Sequence, residues 1–389
     1  MYEKEYELVK RQYDDMIEMI RTMTSMDRGS KYLPGIMQIA DYMANQLQQM
    51  GCEITRHHDD IYGDTVVGRK KGKGKIKLLF FAHMDTVWPE GTVKERPFEI
   101  RENLAYGPGV SDCTPGLVSS LFLLRTLNEL GEDRYGELIF LFTPDEELCS
   151  PSSGQWTQKY SKEADIAICM ESPEDPGTFI SSRAGSVYYN VYVKGKMAHA
   201  AINPEEGANA LEELTYKMND ILAKKFPDVY LVVCQMSGGS GDCCVSDNGY
   251  AMLRYRIKSW DSAPQIAEFL KEEEQKTYVK GTTTSIEYWP ENGFGPMPRL
   301  PWMDDIIKLV EKTSGEMGYP LKEGYSYGGC DASNAVLNCP TIDGMAPESV
   351  GCHSVGEYLC LDTLVPRTAL LVVLVEKLSR DERYLKKSL

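Results

Sequence analysis

Apolar residues first recur at helical spacing along the chain and then give way to short, almost continuous apolar runs. Residues 2–24 carry apolar side chains on one face of a helix, and residues 34–50 repeat the pattern from a proline that suits a first helical position. A further helix is predicted over 115–131, beginning at a proline and ending at a glycine. Buried strands are predicted at the runs 65–67, 76–82, 138–143 and 165–170. Such strands alternating with helices indicate a largely parallel or mixed sheet covered on both faces.

A basic, glycine-rich stretch, RKKGKGK at 69–75, separates the first two of these strands. Its composition predicts a solvated hairpin turn. A phosphate-binding loop is disfavoured, because no helix follows the glycines to offer its N-terminus to an anion.

The pattern changes after Ser182. The predicted elements are a strand, a helix, two strands, a helix and a strand, at 187–193, 207–225, 230–235, 250–257, 263–277 and 283–288. The order β-α-β-β-α-β is typical of a ferredoxin-like unit. A segment rich in proline and glycine at 289–301 leads back to an αβ pattern that closes with a helix over 363–379.

The fold class predicted from these patterns is α/β. A mixed sheet covered by helices is expected from residues 1–182 and 293–389, which together form one discontinuous domain. An α+β lid domain is expected to be inserted between them at 183–292.

Charge and cysteine usage exclude several classes of protein. The 389 residues include 42 Lys+Arg and 58 Asp+Glu, a formal net charge of −16, which argues against binding nucleic acid or an anionic membrane surface. The opening residues lack the apolar core of a secretory signal, and no apolar run is long enough to span a bilayer. The eleven cysteines are scattered without a C-x-x-C pair. We therefore expect a cytoplasmic protein with reduced thiols.

Residues suited to metal chemistry follow the predicted strands or lie in loops before helices. They are His83, Asp85, Asp112, Glu146, Glu147, Glu171 and His353. The carboxyl ends of strands in such a sheet are where ligands bind. Two imidazoles and five carboxylates are a donor set that suits zinc, and two metals can share one bridging carboxylate and activate a water between them.

Each of these motifs alone has an ordinary structural explanation. A histidine after a strand is more often structural, an acidic pair is usually a solvated loop, and the pair Gly107 and Gly109 lacks the third glycine of a dinucleotide site. Their occurrence together, in order and at strand ends, favours the metal site.

Four stretches, FFAHMDTV, AYGPGVSD, LFTPDEEL and GCHSVGEYL, make the chain resemble a known family. It resembles the co-catalytic di-zinc peptidases and deacylases of the aminoacylase, carboxypeptidase G, acetylornithine deacetylase and succinyl-diaminopimelate desuccinylase group. The pattern is closest to that of the glutamate carboxypeptidase branch. The resemblance covers essentially the whole chain and implies a zinc-exopeptidase-like catalytic domain with an inserted lid.

The resemblance also implies roles for the motif residues. The implied cofactors are two Zn²⁺ per chain, for which Co²⁺ or Mn²⁺ substitute. The implied metal ligands are His83 and Glu171 at one ion, Glu147 and His353 at the other, and Asp112 bridging both. Asp85 is implied to orient His83 through a hydrogen bond, and Glu146 to act as the general base.

Two lid residues receive roles in the same way. His199 matches a histidine that reaches the partner subunit's site and stabilises the developing oxyanion, which implies a homodimer formed through the lids. Arg254 matches a position where the family often places an arginine for a substrate carboxylate, and an ordinary salt bridge within the lid is the alternative. His57 and His58 lie in a polar, acidic segment, and we interpret them as surface residues.

The chain departs from the family pattern in its recognition residues. After the bridging aspartate it has Cys113 and Thr114 in place of a lysine, and 241–246 lacks the usual Asn-x-x-Pro element. The segment 288–292 lacks the arginine that holds an α-carboxylate in the glutamate carboxypeptidase branch. Cys113 and Cys352 flank implied ligands and are interpreted as small apolar packing residues.

The sequence therefore predicts a metal-dependent hydrolase that cleaves an amide bond of a small peptide or N-acyl amino acid. The attacking water would bridge two zinc ions, with Glu146 as its base. Carboxypeptidase, dipeptidase, aminopeptidase and deacylase activities remain open. The alternative from a different class is a non-catalytic member of the fold that binds a small ligand or dimerises.

Overall fold

The computed structural model describes residues 2–239, 241–289 and 293–385. The helices are α1 (Glu3–Arg11), α2 (Tyr13–Thr24), α3 (Leu33–Gln49), α4 (Thr92–Glu95), α5 (Thr114–Leu130), α6 (Gly154–Glu163), α7 (Ala210–Ala223), α8 (Ser262–Gln275), α9 (Asp304–Glu316), α10 (Ala332–Ala335) and α11 (Leu364–Ser379). The strands are β1 (Glu53–His57), β2 (Thr65–Lys71), β3 (Lys77–His83), β4 (Glu99–Arg101), β5 (Leu104–Tyr106), β6 (Glu137–Thr143), β7 (Ile166–Cys169), β8 (Thr178–Arg183), β9 (Gly185–Lys194), β10 (Val229–Gly238), β11 (Asn248–Ile257), β12 (Thr283–Trp289), β13 (Lys322–Ser326), β14 (Thr341–Ile342), β15 (Ser349–Val350) and β16 (Tyr358–Cys360).

The chain divides into two compact units. The first comprises Met1–Ser182, Arg299–Ser326 and Cys330–Leu389, and the second comprises Arg183–Pro298 and Tyr327–Gly329. We call the first the catalytic unit and the second the lid unit. The expected lid boundary at 292 falls on residues 290–292, which lie outside the described residues.

A six-stranded mixed sheet forms the centre of the catalytic unit, in the order β1-β2-β6-β3-β7-β14. The strands β6, β3, β7 and β14 are parallel, while β1 and β2 run antiparallel to their neighbours. Every residue of β6 is buried, and the apolar helices α5 and α11 pack against one another beside the sheet. Strands covered on both faces need continuous apolar sequences, which is why these runs predicted the mixed sheet correctly.

Two local predictions were wrong. Residues 2–24 form two helices, α1 and α2, separated at Gln12, whose buried side chain donates hydrogen bonds to Thr126 and Glu129. The predicted hairpin is absent, because β6 lies between β2 and β3 and pairs with both. The turn between β2 and β3 therefore crosses over one strand instead of joining neighbours.

The lid unit contains an antiparallel sheet in the order β10-β11-β9-β12, with α7 and α8 packed on its inner face. Taken in chain order the strands are first β9, then β10, β11 and β12, so their spatial order is that of the predicted ferredoxin-like unit. Along β11 buried residues alternate with half-buried ones, as expected for a sheet with one covered face. Among the described residues, no helix is long and apolar enough to cross a membrane.

A buried lysine joins the two lid helices. Lys217 on α7 lies 3.4 Å from Glu213, and both side chains are almost fully buried. The Lys217 ammonium group also donates hydrogen bonds to the carbonyl oxygens of Glu273 and Lys276, at 2.6 and 2.7 Å. The lysine therefore fixes the C-terminal end of α8 against α7.

We expect Lys217→Met to lower the free energy of unfolding of the lid unit by about 3 kcal/mol, because it leaves a buried carboxylate and two carbonyl groups without their cation. Urea unfolding followed by lid tyrosine fluorescence measures the change. Lys225→Met removes an exposed lysine just after α7 and serves as the matched control. Equal midpoints for the two variants would contradict the assigned role of Lys217.

Candidate metal centre

Three parallel strands deliver polar side chains to one edge of the central sheet. The strand β3 ends at His83, which is buried. Glu146 and Glu147 follow β6 in a single 3₁₀ turn, and Glu171 follows β7 by two residues. Since β3 pairs in parallel with both β6 and β7, their carboxyl ends meet at this edge.

Asp112 lies between the two histidines, in the loop that precedes α5. Its Oδ1 is 2.7 Å from Nε2 of His83, and its Oδ2 is 3.1 Å from Nε2 of His353. His83 Nε2 is also 3.5 Å from a Glu171 oxygen, and His353 Nε2 is 3.0 Å from a Glu147 oxygen. One carboxylate therefore faces two separate imidazole–carboxylate pairs.

The donor atoms form two groups, each compact enough to hold a metal ion. One contains His83, Asp112 and Glu171 with the thiol of Cys113, and the other contains Asp112, Glu147 and His353. Glu147 Oε1 is buried and has no hydrogen-bond partner among the described residues, which is an unfavourable state for a carboxylate oxygen unless a cation binds it. Imidazole and carboxylate donors are those that zinc takes, so the residues fit a pair of divalent ions sharing Asp112.

Cys113 is better described as a packing residue than as a third type of ligand. Its side chain is buried, and its thiol donates a hydrogen bond to the carbonyl oxygen of Met170 at 2.9 Å. Burial raises the pKa of this thiol well above its ordinary value, which disfavours the thiolate that a metal would need.

Asp85 connects the first histidine to the loop that carries the glutamates. One of its carboxylate oxygens is 3.2 Å from Nδ1 of His83 and accepts a hydrogen bond from the backbone N–H of Glu146. The other accepts from the backbone N–H of Glu147 and from the hydroxyl of Ser30. Asp85 thus fixes both the ring of His83 and the positions of the two glutamates, as the carboxylates behind metal-binding histidines do.

Glu146 is held differently from its neighbour. Its side chain is 8% exposed, and among the described residues no side chain forms an ion pair with its carboxylate or donates a hydrogen bond to it. Burial, together with the negative charges of Glu171 and Glu147, raises the pKa of Glu146 well above its usual range. A buried carboxyl group whose pKa is raised holds a proton more readily than an ordinary glutamate, which suits a group that accepts and returns a proton.

The histidines partly offset the concentrated negative charge. Hydrogen bonds to Asp112 and Glu147 raise the pKa of His353 to about 10. The pKa of His83 is raised because the attraction of Glu171 and Asp112 outweighs its burial. Burial raises the pKa of Glu147, and the charge of Asp112 adds to that effect. Without cations, the centre therefore holds protons that bound metal ions would displace.

Sequence reasoning missed Glu357, which connects the loops around the centre. This buried carboxylate accepts hydrogen bonds from the indole N–H of Trp88 at 2.5 Å and from the backbone N–H of Gly109 at 3.0 Å. It also accepts from the backbone N–H and the hydroxyl of Ser111, next to the bridging aspartate. Because Glu357 lies four residues after His353 and hydrogen-bonds to Ser111, it joins the loops that carry His353 and Asp112. Its place in the motif GCHSVGEYL was a signal in the sequence for such a role.

Two further supports were also missed. Arg28 is fully buried and donates hydrogen bonds to the carbonyl oxygens of Met84 and Gly109, which fixes the loops of Asp85 and Asp112 together. Asp331 accepts hydrogen bonds from the hydroxyl of Thr143, at the end of β6, at 3.0 Å and from the hydroxyl of Ser150, in the loop that follows, at 2.6 Å. Neither residue lies in a recognisable motif, because each acts on segments that are distant in sequence.

The remaining candidate residues do not belong to this cluster. In the lid unit, His199 is exposed and its Nδ1 accepts hydrogen bonds from the backbone N–H groups of Ala201 and Ile202, which leaves Nε2 to carry the proton. Arg254 donates to Ser186 and lies over the Tyr188 ring. Among the described residues, no salt bridge involves Arg254, so the alternative of an ordinary lid salt bridge receives no support.

The interpretation of His57 and His58 as surface residues is correct for His58 but not for His57. His57 is half-buried, stacks on Trp156 with a ring separation of 3.6 Å and hydrogen-bonds to Tyr160. His58 is exposed and hydrogen-bonds to Asp64, which raises its pKa. Both residues have structural partners.

Comparison with known proteins identifies the family. The model of peptidase family M20/M25/M40 matches residues 79–377, so the chain belongs to this family of metal-dependent hydrolases. It is 28% identical over 373 residues to carboxypeptidase G2 of Pseudomonas sp. (strain RS-16), covering 92% of this chain and 88% of the relative. It is 25% identical over 218 residues to succinyl-diaminopimelate desuccinylase 1 of Alteromonas mediterranea, covering 51% of this chain and 55% of that protein.

A solved structure confirms the fold. The crystal structure of an aminopeptidase from Bacillus cereus superimposes with a TM-score of 0.79 at 18% identity, covering 94% of this chain and 98% of that one. The predicted family resemblance and the predicted fold class, a mixed sheet with a separate lid sheet, are therefore confirmed.

We expect metal removal to destabilise the catalytic unit, because the clustered carboxylates then repel one another. A bound metal at about 100 times its Kd stabilises a protein by about 2.7 kcal/mol. Calorimetry of the zinc-loaded protein before and after chelation measures the shift in Tm.

The bridging position provides the control for this experiment. Asp112→Asn should lose most of the metal-dependent shift, because it weakens both donor groups, whereas Asp14→Asn on the exposed face of α2 should keep the full shift. A full zinc-dependent shift in Asp112→Asn would show that the stabilising metal binds elsewhere.

Proposed function

We propose that this chain is a two-metal amide hydrolase acting on small peptides or N-acyl amino acids. The observation that carries the proposal is Asp112, which presents one oxygen to each histidine, beside a Glu146 carboxylate that no described side chain engages. Metal coordination needs a carboxylate that faces an imidazole, as Glu147 does, whereas proton transfer needs a carboxylate that no other side chain engages, as is the case for Glu146. The 3₁₀ turn after β6 provides both from adjacent residues.

The residues of the catalytic unit would have separate roles in the reaction. His83, Asp112 and Glu171 would hold one ion, and Asp112, Glu147 and His353 the other. When bound, two divalent ions supply an activated water and polarise the amide carbonyl. Glu146 would accept the proton from the attacking water and pass it to the nitrogen of the leaving amine. Asp85 keeps Glu146 in place through its backbone hydrogen bond.

The lid residues complete the proposal. The exposed Nε2–H of His199 is a hydrogen-bond donor suited to a developing oxyanion, and Arg254 is a cation suited to a substrate carboxylate. The sheet edge at β10 exposes Tyr230 and Met236, at 70% and 51%. An exposed edge strand with apolar side chains supports a homodimer formed through the lids.

Zinc is the metal we propose, with cobalt or manganese as substitutes. The substrate class follows from the family, whose relatives include a protein named as a carboxypeptidase and one named as a desuccinylase. Both names describe cleavage of an amide bond next to a carboxylate-bearing group. Their shared chemistry supports a peptide or N-acyl amino acid as the substrate here.

We expect Glu146→Gln to lower kcat by about 10²- to 10⁴-fold while two metal ions per chain remain bound, because the change removes the proton acceptor and no ligand. Hydrolysis of N-acetyl amino acids and dipeptides, with metal content measured by mass spectrometry, tests both parts.

The adjacent glutamate is the matched comparison. Glu147→Gln should lower metal content together with activity, because Glu147 is proposed as a ligand. Full activity in Glu146→Gln, or equal metal loss in the two variants, would contradict the division of roles. If the metal-loaded wild-type protein bound these substrates without cleaving them, the non-catalytic binding member of the fold would be the better description.

A further inference from the structure

One buried side chain holds both ends of the 3₁₀ turn Glu146–Leu148, which we call the glutamate turn. Thr143, the last residue of β6, precedes the turn, and Ser150 follows it. The hydroxyl of Thr143 donates a hydrogen bond to Oδ2 of Asp331 at 3.0 Å, and the hydroxyl of Ser150 donates one to Oδ1 at 2.6 Å. We call these two hydrogen bonds the Asp331 clamp. The clamp connects the entrance of the glutamate turn to its exit.

The chain leaves the glutamate turn in a conformation that side chains rarely adopt. Cys149 has a φ of 67° and Ser150 a φ of 54°, both in the left-handed region, although neither residue is a glycine. Residues with a Cβ are strained there and keep such a conformation only where surrounding contacts hold them. The hydrogen bond from Ser150 to Asp331 is a contact of this kind, because it fixes the side chain of a strained residue.

A second carboxylate holds the middle of the glutamate turn. Asp85 accepts hydrogen bonds from the backbone N–H groups of Glu146 and Glu147, both at 3.1 Å. Asp85 therefore fixes the backbone of the two glutamates, whereas Asp331 fixes where the turn begins and ends. If the exit relaxed, the turn would move relative to β6, and both glutamates would move relative to the donors that other strands carry.

Asp331 holds its partners by directed hydrogen bonds. It is 3% exposed and lies just before α10, from which the side-chain amide of Asn334 donates to Oδ1 at 3.3 Å. Among the described residues, no cation forms an ion pair with Asp331. A buried carboxylate whose donors are neutral hydroxyl and amide groups constrains where those groups point, which suits a residue that orients a loop.

We propose that Asp331 is a positioning residue for the glutamate turn. Through Thr143 and Ser150 it would keep Glu146 where it can accept a proton and Glu147 where it can bind the second ion. The inference rests on the proposed function, which assigns these roles to the two glutamates. It requires no contact between Asp331 and the substrate or a metal ion.

Two substitutions of Asp331 separate hydrogen bonding from charge. Asp331→Ala removes the clamp. Asp331→Asn removes the charge but can keep both contacts, because a hydroxyl both donates and accepts, and the Thr143 hydroxyl can donate instead to the carbonyl oxygen of Ala82, 3.5 Å away. At saturating zinc we expect Asp331→Ala to lower kcat about 10²-fold and to change KM less than about twofold, because the base is displaced while substrate binding remains. Asp331→Asn should keep kcat within about fivefold of the wild-type value.

Zinc affinity provides a readout that does not depend on turnover. Competition with a chromophoric chelator should show that Asp331→Ala binds one of its two zinc ions about tenfold more weakly, because Glu147 is no longer held in position. Asp331→Asn should bind zinc as the wild-type protein does. Ser150→Ala removes one half of the clamp and should lower kcat about tenfold, which keeps the test available if Asp331→Ala does not fold.

Asp64→Ala is the matched control for loss of a buried carboxylate. Asp64 belongs to the catalytic unit, is 5% exposed, and pairs with Arg56 at 2.7 Å and with His58 at 2.6 Å. The variant should lower the Tm but leave kcat and zinc affinity at wild-type values. This comparison separates a positioning role from a contribution to stability alone.

The outcomes distinguish this inference from the proposed function. Weaker zinc binding in Asp331→Ala, but not in Asp64→Ala, supports the clamp even if the wild-type protein cleaves no amide. Amide hydrolysis and zinc binding that Asp331→Ala or Ser150→Ala leaves unchanged support the hydrolase and reject the clamp. An Asp331→Asn variant as impaired as Asp331→Ala would also overturn the proposal, because the effect would then come from charge.

Discussion

The repulsion among carboxylates at one edge of the central sheet is the constraint on which the catalytic unit depends. Three parallel strands end at that edge, and five carboxylates lie within or beside two donor groups that share Asp112. Two histidines alone leave the excess negative charge only partly balanced, and the charges of Glu171 and Glu147 add to the effect of burial in raising the pKa of Glu146. Such a cluster is stable when divalent cations bind, which couples folding of this unit to metal occupancy.

The surrounding polar network serves this constraint by fixing loops that the sheet does not hold. Asp85, Glu357 and Arg28 are buried, and their hydrogen bonds go largely to backbone groups of the segments that carry the ligands. Backbone groups keep a fixed geometry, and buried charge-assisted hydrogen bonds are strong. The ligand positions are thus set before a metal arrives, which reduces the reorganisation that binding requires.

The sequence alone was sufficient to predict those parts of the molecule whose structure follows from neighbouring residues in the chain. Buried parallel strands are continuous apolar runs, and ligands follow their carboxyl ends, so the mixed sheet and the order of the candidate ligands could be predicted. The partners of Glu357 and Arg28 could not be predicted, because they are backbone and side-chain groups far away in sequence. The crossover of β2 and β3 was missed for the same reason, since β6 enters between them from a later part of the chain.

The proposed ligand residues match the family pattern, whereas the recognition residues depart from it, and the positions of the two groups in the structure explain the difference. A change at a strand end disturbs the charge balance of the whole centre. Arg254, in contrast, lies in the lid unit, outside the candidate metal centre, and pairs with no described acidic side chain. Substrate choice can therefore diverge through positions such as this one while the amide chemistry stays the same. The missing lysine and arginine of the family pattern are consistent with an altered substrate rather than with lost catalysis, because Glu146 and the proposed ligands are all in place.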